Sequence, residues 1–131
     1  TMMRKIKFRV FTKEYGIKKV NEINYDGDET IALIGSDGVG LLTRFGIGKE
    51  AVIEQYTGIK DVNGVEIYEG DLILVKGVEY EVEWFNTSFW AIPNSGVGSS
   101  QPISNLYEYD GKNIEKIKII GNIHENEELL H

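Results

Sequence analysis

Apolar and polar residues alternate with a period of two along several short stretches of the chain. In RKIKFRVF, residues 4–11, Ile6, Phe8 and Val10 fall on one side and Lys5, Lys7 and Arg9 on the other, the pattern of a half-buried strand. In VEYEVEWF, Val78, Tyr80, Val82 and Trp84 alternate with Glu79, Glu81 and Glu83. LILVKG and SFWAIP predict further strands, and NLYEYDGKNIEKIKIIGNI contains two more strand-like runs. Turn dipeptides separate these runs: Asp26-Gly27, Asp37-Gly38, Asn63-Gly64, Lys76-Gly77 and Asp110-Gly111. Such pairs suit tight hairpins, because a type I′ turn needs positive φ at both central residues. GKEAVIEQY predicts one short helix and HENEELL a last helical turn, while NSGVGSSQPISN predicts a long, mobile polar loop. No long amphipathic helix and no repeat is present. The pattern therefore predicts an all-β fold, mainly β with one or two short helices. Its short antiparallel strands are expected in a barrel-like or SH3-like pseudo-barrel arrangement.

Composition narrows this picture. A chain of 131 residues is the size of one domain, so residues 1–131 are expected to form one, with residue 1 and a tail of about 125–131 flexible. A hydrophobic fraction of 41% supports a core. The absence of cysteine excludes disulfides and thiolate chemistry and fits a reducing cytosol. No apolar run approaches the ~20 residues of a membrane span, and a cytoplasmic protein is expected. The net charge of −7 is uneven: residues 1–19 carry +6 and residues 20–131 carry −13. A basic edge on an acidic body can meet nucleic acid, its own body or a second subunit.

The candidate chemistry centres on QYTGIKDVNGVEIYEGD, Gln55 to Asp71. Its carboxylates, Asp61, Glu66, Glu69 and Asp71, raise the question of a metal or acid/base site. Their positions favour turns instead. Asp61 precedes Asn63-Gly64, where a short carboxylate accepts backbone N–H bonds, and Asp71 follows Gly70 at the start of a strand. Glu66 and Glu69 have opposite parity and would lie on opposite faces of a continuous strand.

This run resembles the signature segment of the YopX family, small proteins encoded by phages and prophages, mostly of Gram-positive bacteria. The matching positions are Gln55, Tyr56, Thr57 and Gly58, then Asp61, Asn63 and Gly64, then Ile67, Tyr68, Glu69, Gly70 and Asp71. RKIKFRVF and IIGNIHENEELL, with Gly121 and Asn122, are similar to the family's first and last segments. Residues 20–50 and 86–113 match loosely, and Glu127 stands where a proline is expected. The resemblance implies a phage or prophage origin and a β-rich, barrel-like fold. It brings no catalytic residues.

Other motifs are weaker. GSDGVG, residues 35–40, lacks the dinucleotide spacing, and GIGKE has Glu50 where a phosphate loop needs Ser or Thr. His124 and His131 form no ligand pattern. Arg4, Lys5, Lys7 and Arg9 are candidates for nucleic-acid contact, against the plainer reading of a solvated strand face. Phe85, Phe89 and Trp90 are candidates for a protein interface, because aromatic residues are enriched in interface cores. The expected function is a non-enzymatic phage accessory protein that binds a host or phage protein. It needs no cofactor and has no membrane contact, and homo-oligomerisation is compatible with it. The alternatives are a small nucleic-acid-binding β-barrel using the basic N-terminal strand, and a metal-dependent enzyme using Asp61, Glu66, Glu69 and Asp71.

Overall fold

A computed structural model describes residues 5–27, 29–35, 42–48, 51–96, 98–106, 116–126 and 128. Among the described residues the fold is mainly β with one short helix, and it includes a curled half-barrel sheet and a second sheet. The chain divides into two compact units, Thr1–Gln55 and Tyr56–His131.

In the first unit, β1 (Phe8–Thr12) pairs antiparallel with β2 (Gly16–Lys19). A three-stranded antiparallel sheet follows, formed by β3 (Glu22–Asp26), β4 (Glu29–Gly35) and β5 (Leu42–Gly46). The β3–β4 hairpin closes next to Gly27, whose φ of 61° is the left-handed conformation expected at an Asp-Gly turn. Val10, Ile34 and Ala51 form a small core, with Val20 and Ile47 packed on it.

β6 (Val52–Lys60) runs from one unit into the other. It stands where a short helix was expected. Its early residues pair with β1 in the register Phe8↔Gln55, Arg9↔Glu54 and Val10↔Ile53. Burial alternates along it, with Glu54 and Tyr56 inside. The sequence hides this alternation because one inward residue is a charged glutamate. Glu54 is tolerated there because Arg9 Nε donates to its Oε1 at 2.9 Å. Arg9 is therefore buried and does not share a solvated face with Lys5 and Lys7, which are exposed. A buried charge without a partner is too costly to keep, and the pair fixes the register of β1 on β6.

The second unit contains β7 (Glu66–Tyr68), β8 (Asp71–Val75), β9 (Val78–Phe85), β10 (Ser88–Pro93), β11 (Gln101–Pro102), the single-turn helix α1 (Ile103–Leu106) and β12 (Lys118–Asn122). The later part of β6 pairs with β7, and a five-stranded sheet has the order β11-β10-β9-β8-β12. Its core gathers Ile67, Ile73, Val75, Tyr80, Val82, Ala91, Ile103, Leu106 and Ile117. Each fully buried aliphatic residue here contributes about 1.5–3 kcal/mol. Lys76 and Gly77, with φ of 50° and 78°, make the β8–β9 turn.

The expected polar loop at residues 94–105 is only partly a loop. It yields β11 and runs into α1, because Ile103 and Leu106, three residues apart, share one helix face and fill the core. The expected turns at Asp37-Gly38 and Asp110-Gly111, the GSDGVG segment beyond Gly35, and Arg4, Lys49, Glu50, Glu127 and His131 lie outside the described residues.

Candidate interaction site

The acidic run resolves into a set of turns. Asp61 Oδ1 accepts the N–H groups of Asn63 at 2.8 Å and Val65 at 2.9 Å, and Oδ2 accepts that of Ile119 at 3.2 Å. This carboxylate shapes its own turn and ties it to β12, the strand Lys118–Asn122. Gly64 has φ of 80° and its N–H donates to Asp61 O at 3.0 Å, as the Asn63-Gly64 turn requires. Asp71 is 2% exposed, and its Oδ2 accepts Tyr68 N–H at 2.8 Å. Glu66 and Glu69 are half-buried and have partners of their own. Among the described residues no group of three or more Asp, Glu, His or Cys is placed to hold a metal ion.

The flanking signature residues are structural in the same sense. Tyr56 and Tyr68 face each other across β6–β7, with ring centroids 5.6 Å apart. The β6 register then shifts, and Gly58 takes φ of 91°. Thr57 Oγ1 closes this bulge by donating to Ile67 O at 2.8 Å and accepting Ile59 N–H at 3.2 Å. Gly70, with φ of 87°, donates to Val82 O at 2.7 Å and accepts Ile123 N–H at 2.9 Å. Asn122 stands opposite Asp71 in the β8–β12 register. Its Oδ1 accepts the N–H groups of His124 at 3.0 Å and Glu125 at 2.9 Å, so it caps the final turn. A Cβ at Gly121 would lie 2.5 Å from Asn126 Oδ1, so the Asn126 side chain would have to move to admit it. That oxygen accepts Asn122 N–H at 3.1 Å. Sequence reading placed Gly70–Asp71 at a turn and Gly121–Asn122 in the family-like last segment, far apart in the chain. It missed that the β8–β12 pairing sets them side by side.

The free surface chemistry lies on the β9–β10 hairpin. Trp84 is 53% exposed and Phe85 61% exposed at its end. Phe89, directly opposite Trp84, makes an edge contact with it at 4.9 Å and packs on the core. Phe85 makes a second edge contact, with Trp90 at 6.1 Å. Alternation puts these pairs on opposite faces, so the hairpin end is aromatic on both sides. Trp90 Nε1 is covered and finds no acceptor among the described residues. The turn itself is unusual. Asn86 and Thr87 have φ of 50° and 61°, a type I′ geometry built without glycine. A β-branched residue in this conformation is strained, at a cost on the order of 1–3 kcal/mol.

The basic segment is divided by the fold. Lys5 and Lys7 are exposed and precede β1, whereas Arg9 is engaged with Glu54. His124 is half-buried in the turn that Asn122 caps.

Comparison with known proteins places the chain by similarity. The family described as "YopX protein" matches residues 7–131. The chain is similar to the crystal structure of protein EF1440 from Enterococcus faecalis, at 26% identity with a TM-score of 0.65, covering 98% of this chain and 100% of that one. It is also similar to the crystal structure of yopX from Bacillus subtilis, at 14% identity with a TM-score of 0.63 and the same coverage, a likeness of fold alone. No curated protein matches it.

Proposed function

The chain belongs to the YopX family, and we propose that it is a phage or prophage accessory protein that acts without catalysis, by binding another protein in the cytoplasm of the bacterial host. The observation that carries this reading is the β9–β10 hairpin, which holds Trp84 and Phe85 in solvent on a strained turn. Aromatic residues of this kind dominate the energetics of protein interfaces. The polar residues that an enzyme would use are engaged elsewhere, with Asp61, Asp71 and Asn122 accepting backbone N–H groups. The nucleic-acid alternative is weakened because Arg9 is buried against Glu54, which leaves a shorter basic stretch to meet phosphates.

The test is capture of tagged protein from phage-infected cells, with and without nuclease, using wild type and Phe85→Ser. A protein retained by wild type through nuclease treatment and lost from Phe85→Ser is the expected result. Partners that disappear with nuclease, or that bind both proteins equally, would overturn the reading.

A further inference from the structure

The two faces of the β9–β10 hairpin differ in charge. From Val78 to Pro93 the chain carries Glu79, Glu81 and Glu83 and no lysine or arginine. Alternation places all three carboxylates on the face of Phe85 and none on the face of Trp84. On the Trp84 side the ring of Phe89 lies opposite and packs on the core. On the Phe85 side three residues share one corner. Trp90 stands directly opposite Glu83 in the register, and Phe85 lies two residues further along β9 toward the turn. The Phe85 and Trp90 rings, 6.1 Å apart at 74°, form two nearly perpendicular walls.

This corner has the parts that hold a cation. An aromatic face attracts positive charge through its quadrupole. Glu83 adds a formal negative charge beside both rings. Opposite residues on paired strands have Cβ atoms about 5 Å apart, and same-face neighbours along one strand about 7 Å, so a long side chain lying against the rings meets this carboxylate. Glu83 is exposed, and among the described residues nothing engages its carboxylate. Glu81, on the same face, already has a partner and takes no part. Phe85, 61% exposed, leaves most of its ring uncovered. A phosphate backbone is repelled by such a face, and a purely apolar segment would desolvate Glu83 without pairing it. A guanidinium satisfies both halves of the corner. It is planar and stacks on a ring, it is weakly hydrated, and its paired N–H donors match a carboxylate.

We infer that the Phe85 face of the hairpin binds an arginine side chain presented by a partner protein. The guanidinium lies on the Phe85 ring, against the wall made by Trp90, and donates to the Glu83 carboxylate. This inference rests on the reading of the hairpin as a protein-binding surface and names the chemistry of the partner.

Nuclear magnetic resonance of the 15N-labelled full chain tests it. The chain has two tryptophans, so it gives two indole N–H signals, and they report opposite faces of the hairpin. Trp84→Phe assigns them. The probe is a blocked pentapeptide with one central arginine among glycines, added up to about 10 mM because a single contact of this kind binds weakly. The Trp90 signal is expected to move and saturate while that of Trp84 stays in place, with weaker binding as salt rises. Glu83→Gln, Phe85→Leu and a peptide with citrulline in place of arginine should each weaken binding about threefold or more. A lysine peptide should bind less well than the arginine peptide. Glu83 and Phe85 are exposed, and the 15N spectrum itself checks that each variant folds. A Trp90 signal that does not move, one that moves no more than that of Trp84, or binding indifferent to Glu83→Gln would overturn the inference. So would a Trp90 signal that shifts with protein concentration in the absence of peptide, which would make a second copy the occupant. Should the peptide fail while Phe85→Ser still loses a captured protein, the arginine inference falls and the protein-binding reading stands. Should the peptide bind while Phe85→Ser captures the same proteins as wild type, the protein-binding reading falls and takes the inference with it.

Discussion

Asp61, Asp71 and Asn122 are polar residues buried around turns, where they accept backbone N–H groups, whereas Trp84 and Phe85 are apolar residues that stand in solvent at the end of a hairpin. Both regions reverse the usual preference of polar groups for water and apolar groups for the interior. The first reversal is offset locally, since each buried oxygen has a donor. The second is not offset within the described residues. A polar group that already has its donors is committed to the fold, while exposed aromatic area remains available to a partner. Asp61, Asp71 and Asn122 hold turns and strands together, whereas Trp84 and Phe85 keep much of their ring area in solvent.

The comparison breaks first if Asp61 proves dispensable. Asp61→Ala removes the acceptor of three backbone N–H groups at once. Two of these donors are on exposed residues and can turn to water, so the expected loss is about 3 kcal/mol and not more. Urea unfolding measures it. A loss below ~1 kcal/mol would mean that the turn holds itself without the carboxylate. Gly64→Val comes next, at about 2 kcal/mol. A Cβ at Gly64 meets no atom within 4 Å, so the whole effect is the positive φ of 80°. Gly64→Asn should cost less than half as much, because asparagine tolerates this conformation.

Gly121→Ala tests space instead of φ. The new Cβ meets the Asn126 amide at 2.5 Å and pushes it away from Asn122 N–H. About 1–2 kcal/mol is expected, in line with mild overpacking plus one disturbed hydrogen bond. The same substitution in an Asn126→Ala background should cost clearly less. Equal costs in the two backgrounds would show that the contact with Asn126 is not the reason for glycine.

Much of this division can be read from the sequence, for identifiable reasons. Asn63-Gly64 and Lys76-Gly77 announce their turns because dipeptides report φ directly. Tyr80 and Val82 announce the inward face of β9 by period two. β6 does not announce itself. Its inward Glu54 reads as an outward residue until Arg9, 45 positions away, is known to pair with it. α1 is too short to show a helical period, and only the core it fills reveals why Ile103 and Leu106 interrupt a polar loop. The turn roles of Asp61 and Asp71 can be inferred from neighbouring glycines, but the adjacency of Asp71 and Asn122 depends on a strand pairing between distant segments. The Asn86–Thr87 turn is the least legible. The two strand-like runs on either side place it, but its sequence lacks the glycine that marks such geometry, so the left-handed conformation of both residues is seen only in the backbone.

That turn gives the smallest and most discriminating test. Thr87→Gly removes a β-branched residue from φ of 61° and should stabilise the protein by about 1 kcal/mol, the strain relieved less the flexibility that glycine adds to the unfolded chain. The Thr87 hydroxyl donates only to Asn86 O, at 2.7 Å on an exposed turn, so little else is lost. Denaturant midpoints measure the stability, and the capture assay measures the contact. A glycine variant that is more stable yet binds as well as wild type would make the strain incidental to the hairpin's role. One that is more stable and binds less well would mean that the rigid Asn86–Thr87 pair holds Phe85 in its binding position, as strain kept at a working surface predicts.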